Sequence, residues 1–200
     1  MKDQLTHFER LHEQSADPWD LCSSWYEQRK RAITMASLPR SRYGRALEPG
    51  CSVGVLSAAL AERCDFVECW DPSKAALLRA MQTLAEYRGV HLKNQALPAP
   101  IPETQFDLIV LSEVGYYLGR DELVRAAHNF TLALAPAGDI VACHFRHPIP
   151  DGELDGDSVH EILNSELDLP RQTRVIDADF ILDVWSTDVP EMMSMKRPAP

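Results

Sequence analysis

Hydrophobic positions along the chain repeat with two different periods. Short, nearly continuous apolar runs predict buried strands, and the run Phe-Asp-Leu-Ile-Val-Leu-Ser-Glu-Val at 106–114 is the strongest of them. Apolar residues at helical spacing predict amphipathic helices between the strands, as over 73–87. This alternation predicts an α/β fold with a single doubly wound, mostly parallel sheet and helices on both faces.

The stretch Ala-Leu-Glu-Pro-Gly-Cys-Ser-Val-Gly at 46–54 is typical of a buried strand that ends in a glycine turn and continues into a helix. Gly50 and Gly54 have no Cβ, so a ligand can approach the backbone closely. A dinucleotide site would have a third glycine, and a phosphate-binding loop would have Lys followed by Ser or Thr. Both features are missing from this turn, so neither of these two ligand classes is indicated.

A second acidic position follows this turn at an informative distance. The run Phe-Val-Glu-Cys-Trp-Asp at 66–71 predicts another strand, and Asp71 at its end lies 17 residues after Gly54. This is close to the interval of about 20 residues expected for a carboxylate that binds a ribose. The alternative is that Asp71 only caps the next helix, because Pro72 and Ser73 are typical of a helix start.

Length and composition limit the classes of function. Two hundred residues with 45% hydrophobic content predict one domain, and a net charge of −10 argues against a nucleic-acid partner. The chain has no apolar stretch of about 18 residues and no signal-peptide pattern, so we expect a cytoplasmic protein with no membrane partner. The five cysteines contain no Cys-x-x-Cys pair, which predicts buried free thiols and no metal site. Cys51 is the exception of interest, since a helix N-terminus can lower a thiol pKa.

These motifs resemble those of the class I S-adenosylmethionine-dependent methyltransferases. Glu-x-Gly-x-x-x-Gly at 48–54 resembles their first motif, with Ser52 in place of the middle glycine, and Phe-Asp-Leu-Ile-Val at 106–110 resembles their fourth. The resemblance implies the strand order 3-2-1-4-5-7-6. It also implies S-adenosyl-L-methionine as the cofactor and S-adenosyl-L-homocysteine as its product.

A narrower resemblance covers roughly residues 15–145. Asp-Pro-Trp at 17–19, Glu-x-Gly-Cys at 48–51 and Phe-Asp-Leu-Ile-Val-x-x-Glu-Val-x-Tyr-Tyr-Leu at 106–118 are similar to the NodS family. That family N-methylates the deacetylated terminal sugar of a chitooligosaccharide. The stretch His-Phe-Arg-His-Pro at 144–148 and the acidic region after it have no counterpart that we can assign in NodS. The fold is therefore a firmer expectation than the sugar substrate.

The chain divides into three predicted parts. Residues 1–45 form a helical extension that either packs against the sheet or covers the cofactor as a lid, residues 46–190 form the methyltransferase domain, and residues 191–200 form a disordered tail. Aromatic residues in the extension favour the lid, since aromatic faces attract a sulfonium cation. Arg29 is the predicted partner of the methionyl carboxylate, because arginine binds carboxylates in bidentate geometry.

The motifs and the resemblance together predict the site residues. The predicted cofactor-binding residues are Trp25, Arg29, Glu48, Gly50, Cys51, Gly54, Asp71, Pro72, Gln95, Ala96 and Ser112. The predicted catalytic residues are Glu113 and His144, either of which could take a proton from an amine, and the predicted substrate contacts are Tyr116, Tyr117, Arg146 and His147. Gln95 stands where these enzymes often have an acid that binds the adenine amino group, and an amide oxygen can accept the same hydrogen bond.

The expected function is methyl transfer to a small-molecule acceptor such as the amino group of a sugar. O-methylation of a small acid or hydroxyl compound is one alternative, and a non-catalytic protein that binds S-adenosylmethionine with the same fold is another. A nucleotide-dependent oxidoreductase is disfavoured by the glycine turn. The protein is expected to be a monomer or a homodimer.

Overall fold

The computed structural model describes residues 2–101 and 105–186 and contains a seven-stranded sheet with helices on both faces. The strands are β1 (Tyr43–Pro49), β2 (Cys64–Asp71), β3 (Val90–Asn94), β4 (Phe106–Ser112), β5 (Leu134–Phe145), β6 (Arg171–Ile176) and β7 (Phe180–Ser186). The helices are α1 (Lys2–Gln14), α2 (Trp25–Ser37), α3 (Val55–Ala61), α4 (Lys74–Thr83), α5 (Arg120–Ala133) and α6 (Gly156–Glu166), with a 3₁₀ turn at Gly115–Tyr117. The predicted α/β fold is confirmed.

The strands follow the order β3-β2-β1-β4-β5-β7-β6 that the family resemblance implies. Strands β1 to β5 pair in parallel, whereas β7 pairs antiparallel with both β5 and β6. The last two strands therefore close the sheet as a hairpin. None of the helices in the described part of the chain has the length and apolarity needed to cross a membrane. The predicted tail at 191–200 lies outside the described residues.

Strand β4 lies at the centre of the sheet, between β1 and β5. Ile109, Val110 and Leu111 are fully buried, which explains why this run is almost continuously apolar. On one side of the sheet it packs with α5 and α6, and on the other with the elements around α2, α3 and α4. The sheet is therefore covered by a hydrophobic layer on each face, and these layers hold its strands in place.

The amino-terminal helices lie over the carboxyl ends of the first strands. Helix α1 is held against the start of α4, where the Glu9 carboxylate accepts from the backbone N–H of Ala75 at 3.4 Å. Arg79 of α4 donates to the backbone carbonyl of His12 at 3.4 Å. These contacts place the extension beside the ends of β1 and β2.

One carboxylate joins the starts of β1 and β4. Asp107 accepts hydrogen bonds from the backbone N–H groups of Gly44 and Arg45, each at 2.7 Å. Asp107→Ala should lower the free energy of unfolding by about 2 kcal/mol, because two backbone donors lose a charged acceptor. Urea unfolding followed by circular dichroism measures the change.

Asp65 supplies the matched control for this substitution. It forms an exposed ion pair with Arg42 at 2.7 Å, so Asp65→Ala should leave the stability unchanged within error. Equal stability of the two variants would show that the Asp107 contacts do not hold the strands together.

Candidate functional site

A cavity of about 480 Å³ lies at the carboxyl ends of β1, β2 and β4. The strand order reverses at β1, because β2 and β3 lie on one side of it and β4 and β5 lie on the other. Open α/β sheets bind their ligands at such a reversal of strand order. The cavity is roofed by the amino-terminal extension, which contributes Phe8, His12, Trp19, Tyr26, Lys30 and Arg31.

The ends of β1 and β2 are joined through the backbone. Pro49 pairs with Trp70, and the N–H groups of Gly50 and Cys51 both donate to the Trp70 carbonyl, at 2.7 and 2.9 Å. The next N–H, that of Ser52, donates to the Asp71 carboxylate at 2.9 Å. The two carboxyl tips therefore lie side by side, as they must if one ligand is to contact both the Gly50 turn and Asp71.

Asp71 bridges the glycine turn and the start of α4. Its second oxygen accepts from the backbone N–H of Ser73 at 2.8 Å, while the Ser73 hydroxyl caps the helix by accepting from Ala76. Ser73, and not Asp71, is thus the N-cap residue. Burial raises the pKa of Asp71 to about 6, against the opposing effect of the hydrogen bonds from Ser73 and Ser52. The carboxylate lies on the cavity wall.

The two predicted glycines differ in their relation to the cavity. Gly50 lines it and has φ 77°, and a Cβ there would lie 2.1 Å from Val114 Cγ2. Gly54 caps α3 with φ 83° and packs against Leu84, without lining the cavity. Each glycine is required by backbone conformation and by close packing inside the protein, in addition to any close approach of a ligand. A bulky substitution at Gly50 would therefore strain the fold as well as the site.

Glu48 and Cys51 form a buried part of the wall. The Ser57 hydroxyl donates to the Glu48 carboxylate at 2.5 Å, and burial raises the pKa of Glu48 to about 7. Burial also raises the pKa of the Cys51 thiol well above its usual value, so a lowered thiol pKa at this helix N-terminus is not found. Cys22 is exposed, in contrast to the predicted burial of the thiols, whereas the other four are buried as expected.

Glu113 and its partners form the opposite wall of the cavity. Glu113 has φ 58°, and its carboxylate accepts from Lys30 Nζ at 2.6 Å, from the Phe145 N–H at 3.1 Å and from the Tyr116 hydroxyl. Lys30 also donates to Glu27 at 2.8 Å. The result is a hydrogen-bonded cluster in which the carboxylate holds the phenol at the cavity surface.

Lys30 is the buried cation of this cluster and is not among the site residues predicted from the sequence. It is 4% exposed, and its Nζ lies 4.8 Å from the Tyr26 ring centroid. Burial lowers the pKa of Lys30, but the neighbouring Glu113 and Glu27 outweigh burial and raise it, so the ammonium stays charged. The only local signal is the Glu27–Lys30 spacing on one helix face, which is common on exposed helices.

Three buried polar atoms on residues that line the cavity have no hydrogen-bond partner among the described residues. They are His12 Nδ1, the Tyr26 hydroxyl and Ser52 Oγ. His12 is 2% exposed, and burial together with Arg79 lowers its pKa, so the ring is neutral near pH 7.

The remaining predicted residues on the cavity wall lie after β2, after β3, at the end of β4 and in the 3₁₀ turn that follows it. They are Pro72, Gln95, Ala96, Ser112, Tyr116 and Tyr117. The Gln95 side-chain amide donates to the Ala96 carbonyl at 3.4 Å. Within residues 2–101 and 105–186, no three His, Cys, Asp or Glu side chains are grouped so that they could hold a metal ion.

Two predicted cofactor contacts on α2 point away from the cavity. Trp25 is 74% exposed, and Arg29 donates to Asp177 at 2.5 Å and lies over the Phe180 ring. Both assignments are corrected here, because α2 turns these side chains toward solvent and the β6–β7 hairpin. Arg31 is the arginine of this helix that lines the cavity, where it donates to the Leu21 carbonyl at 3.2 Å.

Three predicted residues at the end of β5 and directly after it are also absent from the cavity wall. His144 is fully buried beneath it, between the Gly115 backbone and His160. Arg146 pairs with Asp157 at 3.0 Å, and His147 pairs with Asp179 at 2.9 Å. These ion pairs and hydrogen bonds are internal to the protein, so direct substrate contact or proton transfer by these residues is not what the structure indicates.

Comparison with known proteins points to a family of nodulation proteins. The family model described as nodulation protein S (NodS) matches residues 2–176. The nodulation protein S of Sinorhizobium fredii (strain NGR234) is 32% identical over 142 residues, which cover 69% of this chain and 66% of that protein. The chain thus spans just under two thirds of the length of this relative.

Two crystal structures have the same fold. A provisionally assigned methyltransferase from Pseudomonas syringae is 45% identical with a TM-score of 0.73, over 82% of this chain and 99% of that chain. The N-methyltransferase NodS from Bradyrhizobium japonicum WM9, in complex with S-adenosyl-L-homocysteine, has a TM-score of 0.80 over 89% of this chain and 97% of that chain. Its identity is 24%, so this second similarity shows the fold alone.

The raised pKa of Glu48 predicts a pH dependence of stability. With a pKa of about 7 against an ordinary 4.5, the folded state keeps a proton that the unfolded chain releases between these values. The contribution is therefore fully present below about pH 4.5 and is lost as the pH rises through about 7. Glu48→Gln should remove this loss, which is worth at most about 3 kcal/mol.

Thermal unfolding between about pH 5 and pH 8 tests this expectation. The unfolding temperature of the wild type should fall with rising pH relative to that of Glu48→Gln. Glu62→Gln, which changes an exposed carboxylate at the end of α3, is the control and should follow the wild type. Parallel curves for all three proteins would contradict the assigned shift.

Proposed function

The chain belongs to the nodulation protein S (NodS) family, and we propose that it is an S-adenosylmethionine-dependent methyltransferase that methylates an amino group of a small sugar-like acceptor. The observation that carries the proposal is the cavity at the strand ends, where the Gly50 turn and Asp71 face Glu113. One side of this cavity suits a nucleoside and the other suits an amine.

The residues at the ends of β1 and β2 fit an adenosyl group. The Asp71 carboxylate accepts one backbone hydrogen bond on each oxygen, which leaves lone pairs for ribose hydroxyls. Pro72 and Leu97 supply an apolar contact for the base. Gln95, the predicted partner of the adenine amino group, and Ala96 line the cavity on this side.

Arg31 is the candidate partner of the amino-acid end of the cofactor. It lies on the cavity wall beside Thr34 and Leu21, where a guanidinium can bind a carboxylate in bidentate geometry. This assignment replaces that of Arg29, whose guanidinium is paired with Asp177.

The opposite wall suits a neutral amine that attacks a methyl group. When bound, S-adenosylmethionine supplies that methyl group from its sulfonium. The Tyr116 hydroxyl donates to Glu113 and is also hydrogen-bonded with the Tyr117 side chain, which leaves one oxygen lone pair for an amine N–H. Burial and then Glu113 raise the pKa of Tyr116, which keeps the phenol protonated. The proton lost by the amine would pass through Tyr116 to Glu113, whose charge Lys30 balances.

Aromatic side chains around this wall suit a sugar ring. Phe8 of the extension meets Tyr117 with ring centroids 4.7 Å apart, and Tyr116 meets Tyr117 at 4.8 Å. Trp19 lies beside Phe8 on the same side. We propose that residues 1–45 act as the lid that excludes water during transfer, since α1 contributes to the wall at the acceptor side.

A pair of arginine variants tests the orientation of the cofactor. Arg31→Ala should weaken S-adenosylhomocysteine binding at least about tenfold in calorimetry, because a charge-assisted hydrogen bond is worth about 1.5–3 kcal/mol. The affinity for 5′-methylthioadenosine, which lacks the carboxylate, should not change. Arg29→Ala is the control and should bind both ligands as the wild type does. A wild type that binds neither ligand would refute the proposed function.

A transfer assay tests the chemistry. A fully deacetylated chitooligosaccharide and a small hydroxy acid are compared as acceptors, with S-adenosylhomocysteine release as the readout. We expect N-methylation of the amino sugar, and Tyr116→Phe should lower kcat about 10- to 100-fold while the cofactor affinity stays constant. Tyr87→Phe, outside the cavity, is the control. Product from the hydroxy acid alone would establish O-transfer instead, and no product from either acceptor would favour a binding protein.

A further inference from the structure

A buried chain of polar side chains runs from beneath the cavity to the edge of the sheet, and the proposed transfer does not use it. His144 Nδ1 lies 3.1 Å from His160 Nε2, and His160 Nδ1 lies 2.8 Å from the Asp183 carboxylate. Arg174 of β6 donates two hydrogen bonds to that carboxylate, at 2.7 and 2.6 Å. His144, His160 and Asp183 are all 0% exposed. Such a network is costly unless every member is satisfied, as here.

The two ends of this chain determine where its protons lie. The backbone N–H of Gly115 donates to His144 Nε2 at 3.0 Å, so this nitrogen carries no proton. His144 Nδ1–H therefore donates to His160 Nε2, and His160 Nδ1–H donates to Asp183. Burial lowers the pKa of both rings, which agrees with neutral imidazoles. Asp183 and Arg174 thus set the tautomer in which His144 accepts from the Gly115 N–H.

Three consecutive residues of β5 hold the turn that carries the acceptor-side groups. The Cys143 carbonyl accepts from the Glu113 N–H at 2.9 Å, and the Phe145 N–H donates to the Glu113 carboxylate at 3.1 Å. Between them, His144 Nε2 accepts from the Gly115 N–H. Cys143 and Phe145 make their contacts through backbone atoms, which any residue in these positions could supply. Of the three residues, only His144 holds the turn through its side chain.

The turn depends on such support, because its backbone is strained. Glu113 has φ 58°, a conformation that costs a residue with a side chain free energy and persists only where the surroundings impose it. At Gly115, a Cβ would lie 2.6 Å from Val159 Cγ1 and 2.9 Å from His144 Nε2. The turn is thus pressed against α6 and the imidazole, and Tyr116 follows directly.

We propose that His144 is a positioning residue for methyl transfer. Its Nε2 lone pair, fixed by the hydrogen bonds through His160 to Asp183, holds the Gly115 N–H and thereby keeps Glu113 and Tyr116 in the orientation that the acceptor requires. This role replaces the proton transfer that the sequence suggested for His144. The proposal rests on the proposed function for its effect on rate, whereas its tautomer chain is independent of that function.

Two substitutions at His144 separate positioning from packing. His144→Phe keeps a ring of similar size but has no acceptor, and it should lower kcat about 10- to 100-fold with the deacetylated chitooligosaccharide. Its affinity for S-adenosylhomocysteine should stay within about twofold, because the cofactor wall is made by other elements. His144→Gln places a side-chain oxygen near the position of Nε2 and should recover most of kcat. Equal activity of the Phe and Gln variants, at any level, would overturn the proposal.

The tautomers are read directly by long-range ¹H–¹⁵N correlation spectra of the histidine-labelled protein. We expect Nδ1–H and unprotonated Nε2 for both His144 and His160. Asp183→Asn can present an amide N–H to His160 and reverse the chain, which would place a proton on His144 Nε2 and lower kcat as His144→Phe does. An Nε2–H tautomer of His144 in the wild type would overturn the proposal without any assay of transfer.

These outcomes distinguish the inference from the proposed function. If the wild type binds S-adenosylhomocysteine but methylates no acceptor, the proposed reaction fails and with it the role of His144 in that reaction. If the wild type is active and His144→Phe keeps its kcat, the proposed function stands and the positioning role alone is refuted.

Discussion

The backbone N–H groups of Ser52 and Ser73 converge on one carboxylate, that of Asp71, and this contact determines the arrangement of the whole site. It ties the turn after β1 to the start of α4, which follows the neighbouring strand β2. Asp71 is 6% exposed, and burial raises the pKa of its carboxyl group. The ionised carboxylate therefore carries a desolvation cost at the position where it joins the two segments. Because α1 packs on the start of α4, the roof of the cavity depends on the same contact.

The two halves of the cavity are built in different ways. The half at β1 and β2 is made mainly of backbone: a glycine turn, strand ends and N–H groups, with few side chains that could be exchanged. The half at β4 and β5 is made of side chains from distant segments, with Lys30 of α2 meeting Glu113 after β4. A binding mode shared across a family can reside in the first half, and differences in acceptor can arise in the second.

The sequence predicted the backbone-built half well and the other half only in part. The glycine turn, the position of Asp71 and the buried strand β4 each follow from local patterns, so periodicity and spacing were enough. The sequence pointed to Arg29, whereas Arg31 lines the cavity. The two arginines are two positions apart, which is about 200° of rotation around the helix axis, and no local signal shows which of them faces the cavity. His144 was predicted to reach the substrate but is buried. Its partner His160 comes from α6, and this tertiary contact has no signal in the local sequence.

The central claim is that a nucleoside lies across the joined ends of β1 and β2, and a crystal structure of the protein with S-adenosylhomocysteine tests it most directly. We predict ribose hydroxyls within hydrogen-bond distance of Asp71, and the sulfur between the Gly50 turn and the Tyr116 hydroxyl. Density for the ligand outside this cavity, or a ribose that makes no contact with Asp71, would contradict the account.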